Sequence, residues 1–375
     1  MGRTGSLFLC ASLPRRTASG APDRSRSLDL TPGSFIQPPA PRRDPIFYNA
    51  KGIRSGWRLL VWFALSAALL VAFVIFLAVA IAIWLTLSGG STQHFNPHAL
   101  PEWMELDSEL LVLPVVLVPA IFVALVMERR PISSLGLGFY RGWLRQTLQG
   151  LGIGLLMIVA VMTILMAFGA YRVEGLNGGL GFAVLSGSQM AVGFLGVGLF
   201  EEFAHRGYLL QNLIDGLGLP AAAIITCILF AALHISNTGE NRLGILDVLV
   251  AGIQLLVLVM RTRSLWMAVG LHAAWDWGMS FLFGVANSGN VLTGALLRTT
   301  VHGPVWLSGG SAGPEGSVVT IVVDCLATLY FARAAWIRPT PEAAALWTRY
   351  VSPREEPAPP SPARNEVQVA PHAAA

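Results

Sequence analysis

Apolar residues in this chain fall in long unbroken runs, without the two-residue or 3.6-residue alternation of half-buried strands and helices. Eight runs stand out: 57–87, 110–127, 148–169, 185–214, 220–235, 243–260, 265–285 and 317–336. A helix needs roughly 20 apolar residues to cross about 30 Å of hydrocarbon. The pattern therefore predicts an all-α, polytopic integral membrane protein of about eight transmembrane helices. The first run is long enough to tilt or to protrude. Gly216-Leu217-Gly218-Leu219-Pro220 ends one helix and opens the next. Gly150 and Gly154 form a GxxxG pair, a spacing that lets two helix backbones approach closely.

The flanks differ in kind. Residues 1–56 are rich in Arg, Pro, Ser and Gly and lack periodicity, which predicts a basic tail, disordered for most of its length. Its last part, 45–54, mixes aromatic and basic residues and is expected at the membrane surface. Residues 338–375 are rich in Pro and Ala and are also expected to be disordered. The membrane domain is then 57–337. Lys and Arg concentrate in the N-terminal tail, in 128–147, at Arg261 and Arg263 and in the C-terminal tail, while 88–108 has neither. By the positive-inside rule both termini are cytoplasmic. The style of the tails is bacterial, so the expected location is the inner membrane.

Composition agrees. The 375 residues are 54% hydrophobic and 12% charged, with mean hydropathy +0.61. The net charge of +4 comes mostly from arginine outside the runs. It reads as topology and attraction to the lipid bilayer, with no nucleic-acid partner expected. Cys10, Cys227 and Cys325 have no metal-ligand spacing and imply no disulfide framework.

Against this background the ionisable residues in or beside apolar runs are few: Glu201, Glu202, His205, Arg206, His234, Asp247, His272, Asp276 and Asp324. A charge at mid-bilayer costs at least about 2.5–3.5 kcal/mol, so such residues point to function. Glu202 and Arg206 are four apart, share a helix face and can neutralise each other. Glu201 points about 100° away and has only His205 at the equivalent spacing. One carboxylate is structurally occupied and the other is freer, as a general base requires. Glu201 and His234 are equidistant from the Gly-rich turn between them, so an antiparallel hairpin sets them level. His272 and Asp276 share a face of a third helix.

These residues resemble a known family. Glu201-Glu202-Phe203-Ala204-His205-Arg206 looks like the EExxxR motif of the CAAX protease and bacteriocin-processing (CPBP, also called Abi) family. Phe230…His234 is similar to its FxxxH motif, and His272…Asp276 to its HxxxN or HxxxD motif, in the same order. The resemblance covers about 110–285. It implies an intramembrane glutamic endopeptidase acting on a membrane-associated protein or peptide, with no cofactor. Glu201 would activate a water that His234 helps to hold. His272 and Asp276 would bind water or stabilise the oxyanion, and Glu202 and Arg206 would support the site. Asp276 departs from the prenyl-protein-processing branch, which has Asn there. An ionised Asp cannot donate to an oxyanion, so either Asp276 is protonated or it orients His272.

Three rival readings remain. Glu201, His234 and His272 are acceptable zinc ligands, two nitrogens and one oxygen with room for water, although Arg206 nearby opposes a cation. Gly309-Gly310-Ser311-Ala312-Gly313 fits GxSxG, but in what reads as a Gly/Ser linker without the strand–turn–helix that presents a nucleophile. The chain could also be a non-catalytic membrane scaffold or a bacteriocin-immunity protein.

Overall fold

Every predicted apolar run folds as a helix, because a backbone surrounded by hydrocarbon must satisfy its N–H and C=O groups within its own segment. The computed structural model describes residues 44–49, 52–87 and 103–351. Most of the N-terminal tail, much of the 88–108 loop and the last residues of the C-terminal tail lie outside the described residues.

In chain order, a two-residue ribbon β1 (Tyr48–Asn49) and β2 (Gly52–Ile53) leads into α1 (Ser55–Leu87). Next come α2 (Trp103–Phe122), a π-helical turn Val123–Met127, a 3₁₀ turn Ile132–Leu135, α3 (Trp143–Ala167) and β3 (Tyr171–Leu176). The helix α4 (Leu180–Glu202) widens into a π-helical segment, Phe203–Leu209, and continues as α5 (Leu210–Leu217). Then follow α6 (Leu219–His234), α7 (Arg242–Thr262) and α8 (Trp266–Trp277), the last running into a second long π segment, Gly278–Phe283. The strand β4 (Leu297–Val301) pairs antiparallel with β3. The chain ends in α9 (Val305–Ser308), α10 (Val318–Arg333) and α11 (Pro341–Tyr350).

The protein is an all-α integral membrane protein to which two short ribbons are added. Among the described residues, four helices are long and apolar enough to cross a membrane: Ser55–Trp84, Trp143–Ala167, Leu180–Leu217 and Arg242–Thr262. Leu113–Met127 and Leu219–His234 are shorter apolar helices. Down the length of α1, Leu70, Val74, Phe76, Val79 and Ile83 are exposed, an apolar surface suited to lipid.

Close backbone contact between α3 and α8 is the packing that matters most for the site. Gly150 and Gly154 lie against the backbone carbonyls of Met267 and Leu271, and Gly270 lies against that of Thr147. A Cβ at any of the three would collide with backbone, so the GxxxG pair seats the helix that carries His272. At one end, a buried polar network joins α1, the segment after α2, and α5. Glu128 is 3.4 Å from Arg58 and 3.3 Å from Arg130. Arg58 also pairs with Asp215, Arg130 donates to Gln211, and the Tyr208 hydroxyl donates to Glu128 at 3.0 Å.

Two expectations are corrected. The tail expected to be disordered from 338 starts with an ordered helix, α11. Thr340 caps it by accepting from Ala343 N at 3.2 Å, Pro341 sits in its first turn, and Trp347 is buried under Arg263 at 4.8 Å. The 286–316 segment is no flexible linker. It holds β4, α9 and two 3₁₀ turns, fastened by Tyr171 Oη to Ser308 O at 2.5 Å and by Asn241 Nδ2 to Gly309 O at 2.7 Å. Ser311 sits in one of those turns, Gly310–Ala312, with no helix of any length to present it.

Candidate active site

The two adjacent glutamates part company at the end of α4. Glu202 is fully buried, and its Oε1 accepts from Arg206 Nη1 at 2.7 Å. Arg206 is also fully buried and donates a second bond to Gly252 O at 3.1 Å. Its guanidinium lies 4.2 Å over the ring of Phe230. Gly252 on α7 packs closely here, since a Cβ there would lie 3.3 Å from the Phe230 ring. Glu201 instead lines a cavity of about 480 Å³ bounded by α4, its π segment, α6, α7, α8 and the 286–316 segment. Its Oε2 is buried without a hydrogen-bond partner, as is Oε2 of Glu202.

The helix that carries both glutamates turns π-helical at the next residue. Glu202 and Arg206 pair across this turn, and His205, four residues after Glu201, reaches the cavity beside it. His205 Nδ1 donates to Glu201 O at 2.9 Å, and His234 Nδ1 donates to Phe230 O, also at 2.9 Å. A carbonyl oxygen can only accept, so in both rings Nδ1 carries a proton, and in the neutral form of each ring Nε2 is an acceptor.

His272 joins the two acidic environments. Its Nδ1 donates to Glu202 Oε1 at 3.2 Å. Its Nε2 lies 3.5 Å from Asp276 Oδ2 and 3.7 Å from Glu201 Oε2. Those two separations exceed a direct hydrogen bond and leave space at the Glu201 carboxylate for a further group. Phe230 sits among the basic groups, with ring separations of 5.1 Å to His205, 4.9 Å to His234 and 6.3 Å to His272.

Glu201, His234, His272 and Asp276 thus line one cavity, and Glu202 and Arg206 stand immediately behind it. Sequence reasoning missed the far wall. Glu315 is buried there, accepting from Trp275 Nε1 at 3.0 Å, Ser288 N at 2.7 Å and Ser288 Oγ at 2.8 Å. Asn287, Ser288 and Asn290 line the same wall. Gln254 completes it together with Asp324, which the sequence had singled out, as it had Asp247, buried close by on α7. The run 286–316 offered no periodicity by which to find these residues. Its one signal was a Glu in an otherwise Gly/Ser-rich segment.

The zinc alternative names Glu201, His234 and His272, all three on the cavity wall. Among the described residues no group of three or more His, Cys, Asp or Glu is placed to hold a metal ion. His272, one of its three ligands, already faces a carboxylate with each ring nitrogen.

No curated protein and no solved structure matches the chain. Residues 184–278, from within α4 to the residue after α8, match the family model described as type II CAAX prenyl endopeptidase Rce1-like, and the resemblance read from the three motifs is borne out over that stretch.

Proposed function

We propose that the chain is a membrane endopeptidase in which Glu201 activates a water for attack on a peptide carbonyl. The observation that carries this is the sorting of the two glutamates: Glu202 is locked to Arg206 and His272, while Glu201 opens on the cavity beside three histidines. Glu201 takes a proton from the water as the water oxygen bonds to the carbonyl carbon. His234 and His205 present Nε2 acceptors that orient that water through its second hydrogen. Glu202 accepts from His272 Nδ1 and so fixes the ring with Nε2 toward the Glu201 and Asp276 side. Collapse of the tetrahedral intermediate breaks the C–N bond, and the proton held by Glu201 passes to the leaving amine.

A membrane-associated protein or peptide is the substrate class, and the family description makes a prenylated CaaX peptide the first probe to try. The protease domain is 57–337, with both termini cytoplasmic on the distribution of Lys and Arg.

The test uses purified full-length protein in nanodiscs and an internally quenched farnesylated CaaX peptide. Glu201→Gln should lower kcat by at least about 10³-fold while leaving the melting temperature unchanged. Hydrolysis that persists in Glu201→Gln overturns the reading. Dialysis against 1,10-phenanthroline should leave wild-type activity intact, and loss of activity restored by Zn²⁺ would favour a metal mechanism through Glu201, His234 and His272.

A further inference from the structure

The cavity carries more acid than the proposed chemistry uses. Four carboxylates line it, Glu201, Asp276, Glu315 and Asp324, and among the described residues no Lys or Arg does. Three of the four have partners. Glu201 Oε2 and Asp276 Oδ2 share His272 Nε2, at 3.7 and 3.5 Å. Glu315 accepts three hydrogen bonds from Trp275 and Ser288.

Asp324 is the fourth. It is 2% exposed on α10, it lines the cavity, and its Oδ1 is buried without a hydrogen-bond partner. Among the described residues that line the cavity, two other side-chain oxygens are in that state, Glu201 Oε2 and Ser280 Oγ. Glu201 Oε2 faces His272 and has the reacting water to bind. Ser280 carries a hydroxyl, which can donate as well as accept. An ionised carboxylate only accepts, so Asp324 Oδ1 calls for a donor from outside the protein.

Its surroundings favour a donor that carries positive charge. Asp247, next to the cavity-lining Val248 on α7, is buried, and its Oδ1 also lacks a partner. Gln254 gives an Nε2–H to Asp324 O at 3.3 Å and keeps an amide oxygen, another acceptor. A carboxylate held in the interior without a cation is costly, and the low dielectric that makes it so strengthens its attraction for one. This end of the cavity is also level with the reacting groups. Gln254 is two residues beyond Gly252, whose O accepts from Arg206 behind Glu201, so the two contacts lie about 3 Å apart along the α7 axis.

We propose that Asp324 anchors a subsite for a basic side chain, Lys or Arg, close to the scissile bond of the peptide being cleaved. This rests on the endopeptidase reading and adds to it a specificity-determining residue on a helix that supplies none of the reacting groups. An ammonium brings three donors and a guanidinium five, and neither brings an acceptor to oppose Asp324, Asp247 or Gln254.

The test is a specificity scan on full-length protein in nanodiscs with internally quenched farnesylated peptides. Lys, its uncharged counterpart norleucine, and Glu are placed in turn at each position from the third before the scissile bond to the third after it. At one of these positions Lys should exceed norleucine in kcat/KM by at least about tenfold, with Glu the worst of the set. Asp324→Asn keeps the size and removes the charge. It should bring that ratio to within about twofold, with the loss for the Lys peptide lying mainly in KM. Asp324→Glu should retain a preference for Lys. Each ratio is read within one variant, so a variant that folds in lower yield does not hide the result. Binding is read separately by fluorescence anisotropy of singly labelled peptides. Glu201→Gln, which lacks the base, should bind the Lys peptide more tightly than the norleucine peptide.

The proposal is overturned if no position prefers Lys over norleucine in the wild type, or if the preference survives in Asp324→Asn. It is also overturned if Asp324 serves a small cation instead, seen as wild-type hydrolysis that depends on Na⁺ or K⁺ at fixed ionic strength and loses that dependence in Asp324→Asn. Failure of the underlying reading looks different. Hydrolysis that survives in Glu201→Gln removes the base and leaves the Lys preference standing. A wild-type protein that cleaves nothing overturns the endopeptidase reading, and equal binding of the two peptides overturns the subsite.

Discussion

The Glu202–Arg206 pair invites a quantitative test because both side chains are fully buried and the ions are 2.7 Å apart. In Arg206→Met a carboxylate stays in the interior without its cation, Gly252 O loses a donor, and Phe230 loses the guanidinium above its ring. Breaking a buried pair by removing one partner costs about 3–5 kcal/mol. That is roughly a hundredfold to several-thousandfold in the folding equilibrium. Replacing both partners by apolar groups of similar volume is often neutral. The double variant Glu202→Leu with Arg206→Met should therefore recover most of the stability lost in Arg206→Met. It should not recover proteolysis, since His272 Nδ1 has lost its acceptor. Reversible SDS unfolding in mixed micelles reads the stability, and hydrolysis of the CaaX peptide reads the activity. A single-variant loss below about 1 kcal/mol, or a double variant no more stable than Arg206→Met, would refute the assignment of this pair as a buried structural ion pair.

Two further outcomes are expected. Gly154→Leu, which drives a side chain into the Leu271 carbonyl just before His272, should cost about 1–3 kcal/mol and most of the activity. Gly152→Leu, at a position facing open space on the same helix, should stay within about 0.5 kcal/mol; equal effects in the two would refute the close-packing role. Tyr140 donates to Gln146 at 2.9 Å, and burial, reinforced by Glu342, pushes its phenol up to about 12. Its folded value thus lies above the unfolded value of about 10. The stability it contributes is complete below pH ~10 and is lost as pH rises toward 12. Tyr140→Phe should flatten that part of the thermal stability profile, and an unchanged profile would refute it.

Much of this protein is local chemistry and was therefore legible along the chain. Hydrocarbon demands helices, and each of the eight apolar runs is one. Helix geometry places residues four apart on one face, so the Glu202–Arg206 pair and the freer Glu201 followed from spacing alone. The GxxxG pair marked a close approach of backbones, although its partner helix, α8, could not be named from the residues.

Other features depend on groups distant in sequence. Nothing in the sequence 200–210 announces that the helix widens into a π segment over Phe203–Leu209. Phe230 looked like an apolar residue of a motif, and only packing makes it the ring on which Arg206 and three histidines converge. The Gly/Ser-rich segment 286–316 read as linker because its order comes from Glu315 reaching Trp275 and Ser288, contacts that periodicity cannot report. The helix α11 was overlooked for a related reason, since a Pro/Ala-rich composition masked a capped turn whose Trp347 is buried among residues far away in the chain. The sequence by itself determined a membrane-embedded helical bundle and which carboxylate could be free. The tertiary structure decided what faces that carboxylate, because a cavity is assembled from segments whose neighbours are set by packing and not by spacing.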